Sequence, residues 1–203
     1  MSERWIPLDV TDCDPDPFVQ FNKWFDEAAT EMREREAITI VTATKDARPS
    51  ARMVLLRSIT NEGFGWFTNY DSRKGRELAE NLHASLLWYC EPLGRQIRID
   101  GDVEKMSPAQ SDAYFASRPR GHQLGAHASH QSAPIATRRE LEEQVRAAEL
   151  SFEGRDVPRP ENWGGFRLRP SQFEFWQHRR DRLHDRVIYT PNGPLWDRIR
   201  QSP

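Results

Sequence analysis

The chain has 203 residues, of which 37% are hydrophobic and 30% are charged, and its formal net charge is −2 at pH 7. This length and composition predict one soluble domain with its own core, and the near-neutral charge argues against a nucleic-acid partner. No apolar run reaches the length of a membrane span, and Cys13 and Cys90 fit no zinc or disulfide spacing, so we expect a cytoplasmic protein without membrane contact.

The first half of the chain predicts an arm, two helices and a series of short strands. Residues 1–15 are polar and proline-rich, and we expect them to form an N-terminal arm before a single domain over residues 16–203. Aromatic residues at helical spacing predict a helix from Phe18 to Met32, and a short helix is predicted from Ser72 to Asn81. Strands are predicted at residues 37–44, 52–57, 64–68, 84–89 and 95–103.

The second half predicts two capped helices, a long loop and further strands. The run Ser107-Pro108-Ala109-Gln110 has the pattern of a capping box and predicts a helix to Ser117. Thr137-Arg138-Arg139-Glu140 has the same pattern and opens a helix that runs to Phe152. Residues 118–134 are predicted to be a loop, and strands are predicted at residues 166–169, 173–177, 186–190 and 195–199. Short strands at near-regular spacing favour an antiparallel barrel, a mainly β (α+β) fold with peripheral helices.

Ser72-Arg73-Lys74 places two cations in the first turn of a predicted helix. Positive charges there oppose the helix macrodipole, which disfavours them by about 0.3–1 kcal/mol each. The arrangement is explained if a phosphate binds at this point, where free backbone N–H groups and both side chains would meet it. The alternative is a solvated helix end.

Other charged residues carry weaker signals on spacing alone. Arg52 and Arg57 lie five apart, so a strand would point them to opposite faces, and ordinary strand-end charges are the favoured interpretation. Tyr114 lies one helical turn before Arg118, so the two could grip an oxyanion together, although a helix end also attracts cations without a ligand.

The loop histidines do not predict a metal site, and the common catalytic and nucleotide-binding motifs are absent from the sequence. His122, His127 and His130 have no Cys, Asp or Glu beside them, and we expect no metal site. The sequence contains no GxSxG, Walker A or GxGxxG pattern, which argues against serine hydrolases and the commonest nucleotide-binding folds.

The densest cationic segment runs from Trp176 to Arg186 and reads WQHRRDRLHDR. If it is extended, Arg182, His184 and Arg186 share one face, and the preceding strand ends at Trp176. Guanidinium forks, an aromatic ring and a titratable histidine together predict the wall of a pocket for a flat anionic ligand. The alternative is an exposed edge strand that uses its charges defensively.

Taken together, these segments resemble the pyridoxamine 5′-phosphate oxidase family, which uses FMN. The matching segments lie in the family's order along nearly the whole chain. They are RMVLLR (52–57), FTN (67–69), SRKGRELAEN (72–81), RQIRIDG (95–101), YFASRPR (114–120), QLGAHASHQS (123–132), WGGFRL (163–168), FEFWQ (173–177) and RLHDR (182–186). WGGFR, EFW and RLHDR are the most specific of them.

The resemblance implies a homodimer of FMN-binding split β-barrels with FMN at the interface, some contacts coming from the partner. The implied FMN-binding residues are Arg52, Met53, Val54, Leu55, Leu56, Arg57, Phe67, Thr68, Arg73, Lys74, Gln96, Gln131, Ser132, Trp176 and Arg186. The implied substrate-binding residues are Arg57, Tyr114, Arg118, His122, Arg182 and His184, and of these Arg182 and His184 are the implied catalytic pair.

The reaction implied is oxidation of pyridoxamine or pyridoxine 5′-phosphate to pyridoxal 5′-phosphate, with O2 as acceptor, giving H2O2 and, from the amine, NH3. Three features depart from the family pattern, and all lie on the substrate side. Arg57 replaces a usual lysine, His122 replaces a usual serine, and the segment before Asp16 lacks a basic stretch. Two alternatives therefore stay open: a related flavin oxidase of the phenazine-biosynthesis type, and a non-catalytic flavin- or pyridoxal-phosphate-binding protein.

Overall fold

The computed structural model describes residues 6–203, so the first five residues of the predicted arm lie outside the described part. Its strands are β1 (Ala37–Ala43), β2 (Pro49–Leu55), β3 (Ser58–Thr60), β4 (Gly63–Asn69), β5 (His83–Cys90), β6 (Arg95–Lys105), β7 (Trp163–Gln177), β8 (Asp185–Asn192) and β9 (Leu195–Arg200). Its α-helices are α1 (Pro17–Glu27), α2 (Arg73–Glu80), α3 (Pro108–Ser117), α4 (Arg120–Ala128) and α5 (Arg138–Ser151). No helix within residues 6–203 has the length and apolar character needed to cross a membrane.

All strands pair antiparallel in a single curled sheet, which confirms the predicted mainly β fold with peripheral helices. The order is β2-β1-β5-β6-β7-β4-β3, and β8 pairs with both β7 and β9. Strand β7 organises the sheet, because one edge pairs with β6 while the other pairs first with β4 and then with β8. Residues that are distant in sequence therefore meet along this one strand.

Strand β7 corrects the prediction of two strands at residues 166–169 and 173–177. It runs unbroken for 15 residues through Pro170. Pro170 lies opposite Gly101, where the register with β6 shifts by one residue. Proline lacks the N–H that a regular ladder needs, and a bulge accommodates it, so the strand continues past the residue that indicated a break.

Helix α1 closes the core by burying the aromatic residues whose spacing predicted it. Phe21 lies edge-on to Phe64 with ring centroids 4.8 Å apart, and Trp24 lies edge-on to Phe175 at 5.3 Å. Such edge-to-face pairs add about 0.5–1.5 kcal/mol beyond the burial of their surface. The helix ends at Glu27, and a 3₁₀ turn at Ala28–Thr30 covers part of the remaining predicted span.

Helices α3 and α5 begin at the predicted caps, whereas the predicted loop between them contains a helix. Ser107 and Gln110 form the predicted capping box. At Thr137 only half of the predicted box forms, because Thr137 accepts from the backbone N–H of Glu140 while the Glu140 carboxylate accepts from the N–H of Ala136 instead of Thr137. Residues 118–134, predicted to be a loop, contain α4 instead. Leu124 and Ala128, four residues apart, are buried, and this packing outweighs the low helix propensity of the glycines around them.

The described part of the predicted arm lies against the C-terminal hairpin. The Leu8 N–H donates to Asp185 at 3.0 Å, and Arg200 donates to the Leu8 carbonyl at 2.9 Å. The Tyr189 hydroxyl donates to the carbonyl of Asp14 at 2.7 Å. Residues 6–15 are therefore fixed to β8 and β9 by hydrogen bonds.

Candidate functional site

A cleft opens between the ends of β2 and β4, helices α3 and α4, and the start of β7. It has two adjoining parts of about 450 and 220 Å³. Both parts are lined by the same six residues, which are Phe67, Thr68, Arg118, His122, Gln131 and Trp163. No Asp or Glu of the described chain is among the residues that line either part, so the cleft is built for an anionic or neutral ligand.

Lys74 supplies the most buried positive charge of the cleft, with 7% of the residue exposed. Its Nζ donates to Thr68 Oγ1 at 2.8 Å, Ser72 Oγ at 3.2 Å and Gln131 Oε1 at 3.2 Å. All three acceptors are neutral. Burial, helped by the charge of Arg52, lowers the pKa of Lys74 to about 8. A buried ammonium without a carboxylate is costly, and an anion in the cleft would compensate it.

Glu77 explains why Lys74 lacks such a partner, because it binds the neighbouring arginines instead. Its Oε1 accepts from Arg73 Nε at 2.9 Å, and its Oε2 lies 3.4 Å from Arg52 Nη2. Burial alone would raise the pKa of Glu77, but hydrogen bonds from Ser50, Thr42 and Arg73 and the Arg52 charge lower it to about 2. Glu77 is thus ionised at neutral pH and anchors both guanidinium groups.

Arg118 and Arg57 contribute further positive charge to the cleft. The Arg118 guanidinium lies 4.6 Å from the centre of the Trp163 ring, and its buried Nη1 has no hydrogen-bond partner within residues 6–203. Burial lowers the pKa of Arg118, and the Arg57 charge acts in the same direction against an opposing effect of Tyr114. A buried N–H without an acceptor indicates a ligand oxygen at this point.

Three aromatic rings form one wall of the cleft. Phe67 stacks on Tyr114 with centroids 3.8 Å apart and an interplanar angle of 14°. Trp163 continues the stack at 5.7 Å from Phe67 and is nearly parallel to Tyr114, at 2°. The wall presents flat apolar surface in the same cleft as Lys74, Arg57 and Arg118, which suits a planar aromatic ligand.

Helix α4 contributes Gly121, His122, Gly125 and Ala126 to the lining of the cleft. Gly121 and Gly125 lie one turn apart, and a Cβ built on either would meet no atom within 4 Å. The backbone of α4 is therefore open to the cleft on this side. His122 lies between these glycines and lines both parts of the cleft, while His127 is turned away and contacts the Pro158 carbonyl at 2.7 Å.

Three other predicted residues lie in a row on the outer face of the sheet. Gln96 is the direct cross-strand neighbour of Trp176, and Trp176 is that of Arg186. None of them lines the cleft of the same chain. Arg186 donates from Nε to Glu174 at 2.6 Å and from Nη1 to the Ser202 carbonyl at 2.7 Å.

The segment around Arg182 and His184 corrects the prediction of an extended stretch. Residues Arg180–Arg182 form a 3₁₀ turn, in which Asp181 and Arg182 have φ values of 55° and 61°. His184 closes this turn, because its Nδ1 accepts from the backbone N–H of Arg179 at 3.1 Å. Its ring also lies 4.4 Å from that of Trp176. Burial lowers the pKa of His184, as do the charges of His178 and Arg182.

The predicted residues thus fall into two groups within one chain. The cleft is lined by Met53, Val54, Leu55, Arg57, Phe67, Thr68, Lys74, Tyr114, Arg118, His122 and Gln131. The outer face and the turn carry Gln96, Trp176, Arg182, His184 and Arg186. Arg52 and Arg73 bind Glu77 beside the cleft, Leu56 is buried in the core, and Ser132 is exposed next to Gln131.

The sequence alone did not identify three residues of the site, which are Glu77, Trp163 and Glu174. Glu77 lies four residues after Arg73, a spacing that signals an ion pair on a helix. Trp163 lies in WGGFRL and Glu174 in FEFWQ, and no local signal in the sequence marks either side chain as functional. Among residues 6–203 no group of three or more His, Cys, Asp or Glu side chains is arranged to hold a metal ion.

A curled antiparallel sheet with a cationic, aromatic-lined cleft defines a split-barrel protein whose cleft suits a planar anionic ligand. Two family models match the chain: "Pyridoxamine 5′-phosphate oxidase" over residues 25–152, and "Pyridoxine 5′-phosphate oxidase C-terminal dimerisation region" over residues 163–203. The chain belongs to the pyridoxamine 5′-phosphate oxidase family of oxidoreductases and contains that family's dimerisation region.

Individual relatives agree with this assignment. A pyridoxine/pyridoxamine 5′-phosphate oxidase from Rubrobacter xylanophilus is 51% identical over 191 residues, which cover 94% of this chain and 88% of that one. One of the same name from Burkholderia lata is 50% identical over 200 residues, covering 97% and 93%. The crystal structure of PhzG from Burkholderia lata with tetrahydrophenazine-1-carboxylic acid has a TM-score of 0.90 at 32% identity, covering 99% of this chain and 100% of that one.

Proposed function

We propose that the protein is an FMN-dependent oxidase that converts pyridoxamine or pyridoxine 5′-phosphate to pyridoxal 5′-phosphate. O2 is the electron acceptor, H2O2 is formed, and the amine also yields NH3. The observation that carries the proposal is that three cations, Lys74, Arg57 and Arg118, line one cleft together with the stacked rings of Phe67 and Tyr114. FMN and a phosphorylated vitamer together bring two phosphates and two flat rings.

The residues of the cleft fit FMN. Lys74 is a buried cation whose protein acceptors are all neutral, so it would bind the FMN phosphate, with Thr68 and Gln131 beside it. Arg52 and Arg73, held by Glu77, would add positive charge at the rim. When bound, FMN supplies the redox chemistry, taking two electrons as a hydride from the substrate carbon and passing them to O2.

The residues proposed to bind the substrate phosphate line the same part of the cleft as Lys74. Arg57, Tyr114, Arg118 and His122 would bind the substrate phosphate, and the orphan Nη1 of Arg118 marks where an oxygen is required. His184 accepts a hydrogen bond at Nδ1, so its neutral form carries the proton on Nε2 and donates from there. Together with Arg182, it would orient the ring of the substrate and its hydroxyl.

The second group of residues would reach FMN from the partner in a homodimer. Met53, which also lines the cleft, and Tyr89 are 60% and 51% exposed and lie on the face of the sheet that carries Gln96, Trp176 and Arg186. Tyr89 is the direct cross-strand neighbour of Gln96. Exposed apolar surface beside the row favours burial against a second copy, and this would bring Arg186 of one chain to the cleft of the other.

The likeness to PhzG favours a second candidate, a flavin oxidase that acts on a reduced phenazine precursor. Arg57 and His122, the departures on the substrate side, leave room for it. Sequence identity supports the vitamer oxidase, because within Burkholderia lata the relative of that name is 50% identical to this chain while PhzG is 32% identical.

Turnover by the FMN-loaded protein in air tests the proposal. With pyridoxine 5′-phosphate we expect pyridoxal 5′-phosphate and H2O2 in equal amounts, and with the amine an equal amount of NH3. A protein that binds FMN but forms no pyridoxal 5′-phosphate from either vitamer would overturn the proposal. If the same protein oxidised tetrahydrophenazine-1-carboxylic acid, the second candidate would replace it; if it oxidised neither, it would be a binding protein.

A further inference from the structure

We infer that Glu174 is a positioning residue that fixes the Arg186 guanidinium for its contact with FMN. The inference rests on the proposed function, because it takes FMN as the ligand of Arg186. Glu174 is on β7, two residues before Trp176, and only 3% of its side chain is exposed. Nothing in the sequence or in the family comparisons gives it a role.

The contacts of Glu174 determine which edge of the Arg186 guanidinium remains available. Glu174 Oε1 accepts from Arg186 Nε at 2.6 Å, and the Ser202 carbonyl accepts from Nη1 at 2.7 Å. Within residues 6–203, Nη2 of Arg186 makes no hydrogen bond. Because the five N–H groups of a guanidinium lie in one plane, fixing Nε and Nη1 sets the direction in which Nη2 points.

A second arginine holds the other oxygen of Glu174. Its Oε2 lies 2.7 Å from Arg98 Nη2, as an ion pair outside hydrogen-bond geometry, and Arg98 Nε donates to Asp100 at 3.2 Å. Arg98 and Glu174 are direct cross-strand neighbours on the outer face. The carboxylate is thus clamped between two cations and cannot rotate away from Arg186 without leaving a charge uncompensated.

Burying a carboxylate is costly, and an apolar side chain on β7 would serve packing as well. The geometry provides a reason for the charge. A free arginine side chain loses rotamer freedom when it binds a ligand, which weakens binding, whereas Glu174 makes Arg186 lose that freedom during folding. The effect of Glu174 on FMN must then pass through Arg186.

A double-mutant cycle on FMN affinity tests this dependence. Flavin fluorescence quenching gives the dissociation constant of FMN for wild type, Glu174→Gln, Arg186→Ala and the double variant. We expect Glu174→Gln to raise the constant about tenfold in the wild-type background and less than about twofold beside Arg186→Ala, because contacting residues couple. Glu104→Gln is the matched control, since Glu104 also pairs with two arginines, Arg167 and Arg169, between β6 and β7.

The outcomes separate this inference from the proposed function. If wild-type protein binds no FMN, the proposed function fails. If wild type binds FMN but Glu174→Gln has no effect, or has the same effect with and without Arg186, the inference alone is overturned. Where Glu174→Gln does not fold, Glu174→Asp replaces it in the cycle, because it keeps the charge but withdraws it from Arg186, and the same two results decide.

Discussion

Replacing Lys74 by methionine separates the stability of the FMN-free protein from its affinity for FMN. Burial and the Arg52 charge lower the pKa of Lys74 from 10.5 to about 8. At 1.36 kcal/mol per pH unit, keeping this residue charged at pH 7 costs the folded state roughly 3 kcal/mol. Methionine removes that cost, and Thr68 still donates to Gln131 at 3.0 Å. We therefore expect Lys74→Met to leave the FMN-free protein unchanged or to stabilise it by up to about 3 kcal/mol.

The same change should weaken FMN binding strongly. Removing one partner of a buried, hydrogen-bonded charge pair costs about 2–5 kcal/mol, which corresponds to roughly thirty-fold to several thousand-fold in the dissociation constant. In the wild type, Lys74 loses its proton above pH 8 in the FMN-free protein. The dissociation constant should then rise by up to tenfold per pH unit above pH 8. The variant should lack this pH dependence.

The stability of the FMN-free protein should rise over the same pH range in which its affinity for FMN falls. Between pH 8 and 10.5 the unfolded chain holds a proton on Lys74 that the folded chain has lost, so the free energy of unfolding rises with pH. Urea unfolding of the FMN-free protein and fluorescence titration with FMN measure the two quantities. Lys105→Met is the control, because Lys105 lies 4.3 Å over the Tyr70 ring and does not line the cleft. A Lys74→Met protein that is less stable yet binds FMN as wild type would refute the reasoning.

Three further predictions concern catalysis, pH and packing. Arg182→Ala should lower kcat/KM for pyridoxine 5′-phosphate about a hundredfold while bound flavin, read from the absorption spectrum, stays at one per chain. We assign the acid limb of the profile of kcat/KM against pH to His184. In Arg182→Ala this limb should move to higher pH, because losing the Arg182 charge raises the pKa of His184. Gly75→Ala should cost about 3 kcal/mol of stability in urea unfolding, since its Cβ would lie 2.0 Å from the Tyr70 carbonyl oxygen. Gly121→Ala should leave stability unchanged or raise it by up to about 1 kcal/mol, because its Cβ would meet no atom within 4 Å and alanine is the better helix former.

Each of these has a contrary result. Equal loss of flavin and turnover in Arg182→Ala would contradict the assignment of Arg182 to substrate binding. An acid limb that stays in place would mean that a group other than His184 controls it. A Gly75→Ala protein as stable as wild type would show that α2 can move away from Tyr70.

Residues that act through local chemistry could be predicted from the sequence. The caps Ser107 and Thr137 each accept a backbone N–H three residues later, as their spacing indicated. The aromatic periodicity of α1 located its buried face. Both signals depend on neighbours within four residues, so no knowledge of the fold was needed.

Features that depend on tertiary contacts could not be predicted in this way. Helix α4 has a glycine-containing sequence that favours a loop, and only the burial of Leu124 and Ala128 makes it helical. The turn at Arg182 depends on a hydrogen bond between Arg179 and His184, which an extended interpretation of the sequence excludes. Arg73 pairs with Glu77, which compensates the unfavourable interaction of its charge with the macrodipole of α2 without any ligand. Lys74, the next residue, has no carboxylate partner within residues 6–203 and donates to Thr68.

Anaerobic mixing of the FMN-loaded protein with pyridoxine 5′-phosphate tests most directly whether the cations of the cleft bind FMN and the phosphorylated vitamer together. We expect the visible flavin band to bleach at one equivalent of substrate per bound FMN and to return when O2 is admitted, with one pyridoxal 5′-phosphate formed per cycle. A flavin band that stays unchanged on addition of both the alcohol and the amine vitamers would contradict the account.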